Sequence, residues 1–139
     1  MDDSGGAKLV LLIGARLLTI LRDDNPEIPW PGYWDLPGGG RDREESPEAC
    51  VLRETREEVG LILPESALTW RKQVPSRQNP GRLSWFFAAQ LPAGAECDII
   101  FGDEGQEWRL VVPQWFIDNP KAVTHFRPVV REVVMALGL

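Results

Sequence analysis

Apolar runs separated by turn residues predict the strands of a β-sheet. Two aliphatic runs flank Gly14-Ala15 within residues 7–22, which predicts a hairpin. The next segment, residues 24–32, contains three prolines and a glycine and is expected to be a loop. The remaining predicted strands cover residues 33–36, 67–74, 83–91 and 108–112. Loops are predicted at residues 75–82 and 93–106.

Helical signals follow the first strands. Ser46 can cap exposed amides, Pro47 suits a first helical position, and Gly60 supplies the stop. Along this helix the apolar side expected to face the sheet comprises Ala49, Leu52 and Val59, with Thr55 nearby. A short helix is predicted within residues 113–120 and a final one over residues 128–137.

The order of these elements predicts an α/β fold in which a mixed sheet is packed between helices. The chain has 139 residues, which is close to the usual size of one domain, so a single domain over residues 1–139 is expected. The formal net charge of −6 argues against a protein that grips a nucleic acid polymer, because such proteins need a basic face. The negative charge does not exclude small phosphorylated ligands, since a bound divalent cation can reverse the sign of a local acidic pocket.

Cysteine content and hydropathy indicate the cellular compartment in which the protein is expected. Cys50 and Cys97 have no metal-site spacing and cannot form a disulfide framework, which favours a reduced cytoplasm. The longest apolar run, Leu9 to Ile13, is too short to span a bilayer, and the first residues are acidic where a signal peptide would be basic. A cytoplasmic protein with no membrane partner is expected. The sequence leaves the oligomeric state open.

Three glutamates lie on one face of the predicted acidic helix. At about 100° per residue, Glu54, Glu57 and Glu58 fall within about a third of the circumference, opposite the apolar side. Carboxylates this close resist full ionisation unless positive charge lies among them. Mg²⁺ prefers oxygen ligands and commonly bridges carboxylates to substrate phosphates. Arg53 lies four residues before Glu57 and can brace it, while Glu45 can join through the preceding loop.

The glycines before this helix can bring backbone carbonyls or amides up to an ion or a phosphate. The combination resembles the signature of the Nudix hydrolases: Gly, five residues, Glu, seven residues, Arg-Glu, an aliphatic residue, any residue, Glu-Glu, any residue, Gly and an aliphatic residue. The positions that match in register are Gly39, Glu45, Arg53, Glu54, Glu57, Glu58, Gly60 and Leu61. Thr55 departs from the pattern at the first aliphatic position, although its methyl group can still pack.

The resemblance implies an α/β/α sandwich and an enzyme that uses Mg²⁺ or Mn²⁺ and water to cleave a nucleoside diphosphate linked to another group. It implies that Glu54, Glu57 and Glu58 are metal ligands together with the carbonyl of Gly38. Arg53 would orient a glutamate and Glu45 would support the site. Glu54 is our preferred general base. The metal would neutralise phosphate oxygens and lower the pKa of a water while a carboxylate takes its proton.

A narrower resemblance, to the MutT-like branch that hydrolyses oxidised purine nucleoside triphosphates, involves the segment from Glu104 to Trp108. It implies that Glu104 is a further metal ligand and an alternative base. Substrate contacts are expected from Gly39 next to the phosphates and from Arg22 and Arg82, which lie where that branch places arginines. Phe126 is a further expected substrate contact; it stands where the branch has an asparagine that reads the base, which counts against selectivity for oxidised guanine.

Aromatic residues near the glycines are candidates for base stacking. Trp30 and Trp34 flank the loop that enters the glycines, although most of the tryptophans are expected in the core. The expected substrate is a small nucleotide, foremost a nucleoside triphosphate, oxidised or not, that yields a monophosphate and pyrophosphate. ADP-ribose, nucleotide sugars and dinucleoside polyphosphates are the alternatives within the enzyme class. A non-catalytic nucleotide sensor is the alternative outside it.

Overall fold

The structure is a computed structural model, and it describes residues 6–42, 44–76 and 81–139. Within these ranges the chain forms one seven-stranded sheet. The strands are β1 (Ala7–Ile13), β2 (Arg16–Leu21), β3 (Trp34–Asp35), β4 (Gly38–Gly39), β5 (Trp70–Pro75), β6 (Leu83–Leu91) and β7 (Glu107–Val111). The principal order is β3-β2-β1-β6-β5, while β4 pairs with β1 and β7 pairs with β2. Because β1 and β6 run parallel and the other pairs run antiparallel, the sheet is mixed.

Three helices cover the two faces of the sheet. They are α1 (Pro47–Val59), α2 (Pro113–Ile117) and α3 (Arg127–Ala136). The α1 face of the core includes Val51, Val59 and Phe87, while α2 and α3 contribute Phe116 and Val130 to the opposite face. The predicted α/β/α sandwich with a mixed sheet is therefore confirmed.

Strand β1 lies inside the sheet and is apolar on both faces. Leu9 and Leu11 pack towards α1, whereas Val10 and Leu12 pack towards α2 and α3. All four are fully buried, which explains the continuous apolar run, because a strand covered on both faces has no solvent side. Lys8 is the charged exception in this strand.

Helix α1 begins and ends at the predicted residues. Ser46 accepts a hydrogen bond from the amide of Ala49, and Pro47 occupies the first turn. Gly60 ends the helix with φ of 74°, a left-handed conformation that favours glycine. Beyond it, the amides of Ile100 and Gly102 donate to the carbonyls of Val59 and Glu58 at 2.9 Å each. The segment after Cys97 is therefore fastened to the end of α1.

The structure corrects the predicted apolar side of α1. The buried residues are Cys50, Val51, Thr55 and Val59, whereas Ala49 is exposed and Leu52 is partly buried. The helix is therefore rotated towards Cys50 and Val51 relative to the expectation. Thr55 fits this interior because its hydroxyl donates to the carbonyl of Val51 at 2.7 Å.

Most predicted strands and helices agree with the structure within one or two residues. The strand expected from residue 67 begins at Trp70, because Glu65–Ala67 form a 3₁₀ turn. The expected loop at residues 93–106 contains another 3₁₀ turn, Ala95–Asp98. Residues 77–80 of the loop predicted at residues 75–82 lie outside the described ranges. No helix in the described part of the chain has the length and apolar character needed to cross a membrane.

Candidate active site

The acidic side of α1 faces the backbone of β4. Gly38 has φ of 132°, and a Cβ there would lie 2.1 Å from the carbonyl oxygen of Ala7, so β1 and β4 approach too closely for a side chain. Cys50 places its Sγ 3.5 Å from the carbonyl oxygen of Gly39. Burial raises the pKa of the Cys50 thiol to about 11, as expected for a packing residue. The first turns of α1 are thus packed directly against the glycines.

Glu58 and Glu54 lie against these two glycines. Glu58 Oε1 accepts a hydrogen bond from the amide of Gly38 at 3.1 Å. A Cβ on Gly39 would lie 2.8 Å from the carboxyl carbon of Glu54, so a larger residue would displace this carboxylate. The structure therefore brings Gly38, Gly39, Glu54 and Glu58 together as the sequence predicted.

Arg53 joins the loop acid to the helix acids. Its Nε and Nη2 donate to the two carboxylate oxygens of Glu45 at 2.7 and 3.1 Å, in a bidentate arrangement. Its Nη1 lies 3.3 Å from Glu54 Oε2 and 3.2 Å from Glu57 Oε1. A further bond reaches the carbonyl of Gly40 at 3.2 Å. With 22% of its side chain exposed, Arg53 braces three carboxylates at the rim of the site.

Burial and neighbouring charges shift the pKa values of these acids in opposite directions. The hydrogen bond from Arg53 is the main cause that holds the pKa of Glu45 below its usual value. Burial raises the pKa of Glu54 above its usual value despite the nearby Arg53. Burial also raises the pKa of Glu58, to about 8, against the opposing effect of Lys8. Burial therefore disfavours the charged form of both inner carboxylates, Glu54 and Glu58.

A second charged cluster lies on the other side of Gly38. The ammonium of Lys8 is 3.1 Å from Asp35 Oδ2 and also donates to the carbonyls of Leu36 and Gly38. Arg22 Nη1 donates to the same Asp35 oxygen at 2.7 Å. Asp35 is only 5% exposed and its other oxygen accepts from the amide of Leu36. The sequence analysis assigned no role to Lys8 or Asp35. A charged residue within a predicted buried strand was a signal that could have identified both.

Arg22, predicted as a substrate contact, is held by the protein itself. Besides Asp35, it donates from Nε to the carbonyl of Pro29 at 2.8 Å, which ties the loop before Trp30 to β2. Its role towards substrate stays a prediction.

The remaining predicted site residues show no contact with the α1 glutamates in the described part of the chain. Glu104 is exposed in the loop whose Gly102 contacts α1, and no contact joins it to the α1 acids among the described residues. Arg82 is exposed at the start of β6. Trp34 is only 8% exposed and packs edge-on against Trp115, with a ring centroid distance of 5.3 Å. For these three residues the assigned roles stay predictions.

Aromatic rings form a wall beyond Lys8. Phe126 is buried, and its ring centroid lies 5.7 Å from the Lys8 ammonium and 4.5 Å from the ring of His125. His125 is in turn 6.0 Å from Trp30, which is partly exposed and has φ of 54°. A positive φ is costly for a bulky residue, and such strain is enriched at ligand sites. Trp30, rather than Trp34, is thus accessible to a flat ligand.

The donor chemistry fits a hard divalent cation. Glu54, Glu57 and Glu58 supply carboxylates and Gly38 supplies a carbonyl, which are the oxygen ligands that such cations prefer. Burial raises the pKa of Glu58, so its charged form would be stabilised by a nearby cation. No three acidic, histidine or cysteine side chains among the described residues converge closely enough to hold one ion. Arg53 and Lys8 bond to the candidate ligands. A metal would therefore require these side chains to rearrange.

Comparisons with known proteins identify a family for most of the chain. The NUDIX domain model matches residues 4–133. An RNA pyrophosphohydrolase of Tolumonas auensis is 32% identical over 119 residues, which cover 73% of this chain and 67% of that protein. An RNA pyrophosphohydrolase of Gluconacetobacter diazotrophicus is 48% identical over 48 residues, which cover 32% of this chain but only 29% of the relative.

Solved structures show the same fold. A C. elegans Ap4A hydrolase, solved as a binary complex, superposes with a TM-score of 0.74 and 20% identity, over 96% of this chain and 98% of that one. The family model spans nearly all of the chain and includes the Arg53-braced glutamates. The chain therefore belongs to the Nudix family.

Proposed function

We propose that this protein is a metal-dependent pyrophosphohydrolase that cleaves a phosphoanhydride bond of a nucleoside triphosphate and releases a nucleoside monophosphate and pyrophosphate. One observation carries the proposal: Arg53 braces Glu45, Glu54 and Glu57 directly beside the Gly38–Glu58 contact. Structural helices do not require such a concentration of acids around one arginine. Nudix hydrolases generally use divalent metals, which agrees with this donor set.

Glu54, Glu57, Glu58 and the carbonyl of Gly38 are the groups that would hold Mg²⁺ or Mn²⁺. Glu104 is a further candidate, since the fastening of Gly102 to α1 keeps its loop near the helix end. When bound, the cation would neutralise phosphate oxygens and lower the pKa of a water.

The protein's own side chains would position the reacting groups and take a proton from the attacking water. Glu54 is the proposed general base, because burial raises its pKa and so makes its carboxylate a better proton acceptor. Arg53 limits the positions open to Glu54 and Glu57, and Glu45 fixes Arg53. Glu57 has 49% of its side chain exposed, so its carboxylate is accessible from solvent. Glu104 is the alternative base.

The nucleoside would lie on the aromatic side of the site. Trp30 and Phe126 bound this side, and the contacts through Lys8 lead from Phe126 to Gly38. Aromatic rings stack on bases of any identity, so this wall supports a nucleotide without selecting the base. Arg22, Trp34, Gly39 and Arg82 remain proposed substrate contacts.

The proposal includes one domain over residues 1–139 and a cytoplasmic location. The family match over residues 4–133 supports the first, and the absence of disulfides among the described cysteines agrees with the second. A small nucleotide is the proposed partner.

The named relatives favour a second candidate substrate, the 5′-triphosphate end of RNA. One RNA pyrophosphohydrolase matches 73% of this chain and the other matches 32% of it. The chemistry at the phosphates would be the same. The net charge of −6 counts against a long RNA partner, because polymer binding relies on many basic contacts.

A substrate panel tests both candidates. Purified protein with Mg²⁺ is incubated with ordinary and oxidised nucleoside triphosphates, ADP-ribose, nucleotide sugars, dinucleoside polyphosphates and 5′-triphosphorylated RNA, and products are identified by mass. Water enriched in oxygen-18 shows which phosphorus is attacked. Release of labelled monophosphate or labelled pyrophosphate from a nucleoside triphosphate, abolished by EDTA, is the expected result.

Glu57→Gln is the informative variant and Glu65→Gln is its control, because Glu65 is exposed in the 3₁₀ turn after α1. Glu57→Gln should lower kcat at least about a hundredfold, as expected for a group that acts on developing charge, while the control keeps full activity. Equal activity of wild type and Glu57→Gln, or no metal-dependent turnover of any substrate, would favour the nucleotide sensor instead.

A further inference from the structure

Lys8 is an unusual residue for its position. It interrupts the apolar strand β1, and only 18% of its side chain is exposed. Its ammonium has three N–H donors, and they are matched by three acceptors: Asp35 Oδ2 at 3.1 Å, the Leu36 carbonyl at 3.2 Å and the Gly38 carbonyl at 3.1 Å. With every donor used inside the protein, Lys8 is held in place and is not free to bind a phosphate directly.

The charge around Lys8 is not balanced. Asp35 serves both Lys8 and Arg22 through one oxygen, so two cations share a single buried carboxylate. Lys8, Arg22 and Asp35 by themselves sum to one positive charge beside the Gly38 carbonyl, and Lys8 also interacts electrostatically with Glu58. On the far side of Gly38, its amide donates to Glu58. A fixed positive charge therefore stands next to the acidic side of α1.

We propose that the Lys8 ammonium is a built-in cation of the metal site that shares the Gly38 carbonyl with the divalent ion and so keeps metal affinity low. This inference rests on the proposed function, which assigns that carbonyl to the metal. A carbonyl oxygen has two lone pairs, so Lys8 and a metal can both bind it, but their like charges oppose each other. Lys8 is thus a positioning residue and not a catalytic one.

Low affinity for the free ion has a functional result. A nucleotide brings several negative charges, and these offset the repulsion between Lys8 and the metal. Metal binding then becomes linked to substrate binding, because the ion is held well only when phosphates are present. Damage to a structural residue would not produce this linkage.

Direct Mn²⁺ binding tests the inference without any need for turnover. Electron paramagnetic resonance of free Mn²⁺ is used to measure affinity in the full chain with and without a nucleotide. The variants are Lys8→Met, which replaces the side chain by a neutral one of similar length, Lys8→Gln as a second neutral change, Lys8→Arg and Asp35→Asn. Lys72→Met is the matched control, since Lys72 pairs with Glu132 on α3. Thermal unfolding checks that each variant is folded.

Removal of the positive charge should tighten Mn²⁺ binding. We expect Lys8→Met and Lys8→Gln to bind Mn²⁺ about tenfold more tightly than wild type, a change of about 1.4 kcal/mol. Lys8→Arg keeps the charge and should stay within about threefold of wild type. Asp35→Asn exposes the metal to an uncompensated Lys8 and should weaken binding. The gain from added nucleotide should shrink in Lys8→Met.

The sign of the change is decisive, because a damaged site loses affinity whereas a site freed from a competing cation gains it. Unchanged or weaker Mn²⁺ binding by folded Lys8→Met and Lys8→Gln would overturn the role of Lys8 and leave the metal site intact. Failure of wild type to bind Mn²⁺ at all, with or without nucleotide, would overturn this inference together with the proposed function.

Discussion

Glu58→Gln should make the metal-free protein more stable, and increasingly so as the pH rises. Burial raises the pKa of Glu58 to about 8 in the folded protein, whereas an unfolded glutamate titrates at about 4.3. Between these values the folded state binds a proton that the unfolded state has lost. The free energy of unfolding therefore falls as the pH rises through this window, and the loss levels off above the folded pKa.

The size of the effect follows from the pKa difference. Each unit is worth about 1.4 kcal/mol, so the full window would cost wild type about 5 kcal/mol, which relaxation of the charged side chain reduces. We expect Glu58→Gln to exceed wild type by about 2–4 kcal/mol at about pH 9 and by about 1 kcal/mol or less at about pH 5. Glutamine keeps an oxygen that can accept the amide of Gly38, so the substitution mainly removes the charge.

Urea unfolding in EDTA at several pH values provides the measurement. Glu65→Gln is again the control, because its exposed carboxylate should give no pH-dependent difference from wild type. Excess Mg²⁺ should reverse the order, since a bound ion stabilises wild type and the variant lacks one of its ligands. A stability difference that does not grow with pH in EDTA would refute the reasoning.

Three further substitutions separate the parts of the site. Gly39→Ala would place a Cβ 2.8 Å from the carboxyl carbon of Glu54 and displace this carboxylate. Steady-state kinetics should show a fall in kcat of at least about tenfold, while the free energy of unfolding changes by less than about 1 kcal/mol. Arg53→Lys keeps the charge but not the bidentate fork, and it should lower kcat about a hundredfold and the free energy of unfolding by about 1–3 kcal/mol. Ser46→Ala removes the cap on the Ala49 amide and should cost about 1 kcal/mol by urea unfolding without a change in kcat.

Local signals made much of the fold predictable. Ser46, Pro47 and Gly60 set the ends of α1 through short-range capping, and the run from Leu83 to Leu91 forms the strand it predicts. The shared face of the α1 glutamates follows from helix geometry alone. The buried side of the helix was less predictable, because its rotation depends on how Cys50 packs against Gly39.

The cluster around Asp35 could not be derived from local pattern. Lys8 lies on β1, Asp35 lies on β3 and Arg22 directly follows β2, so their contact depends on strand register and pairing. Sequence suggested a substrate contact for Arg22, whereas its guanidinium binds Asp35 and the Pro29 carbonyl. Whether Trp34 lies in the core or at the surface likewise depended on the position of Trp115 after folding.

The attachment of Gly102 to the last turn of α1 limits which sequence changes this protein can accept. A Cβ at Gly102 would lie 2.4 Å from the Glu57 carbonyl, so substitution there would push the loop off the helix. The residues between Gly102 and β7, by contrast, are mostly exposed. Insertions or deletions within residues 103–106 would therefore change the distance between Glu104 and α1. The carboxylates on the helix itself would keep their positions.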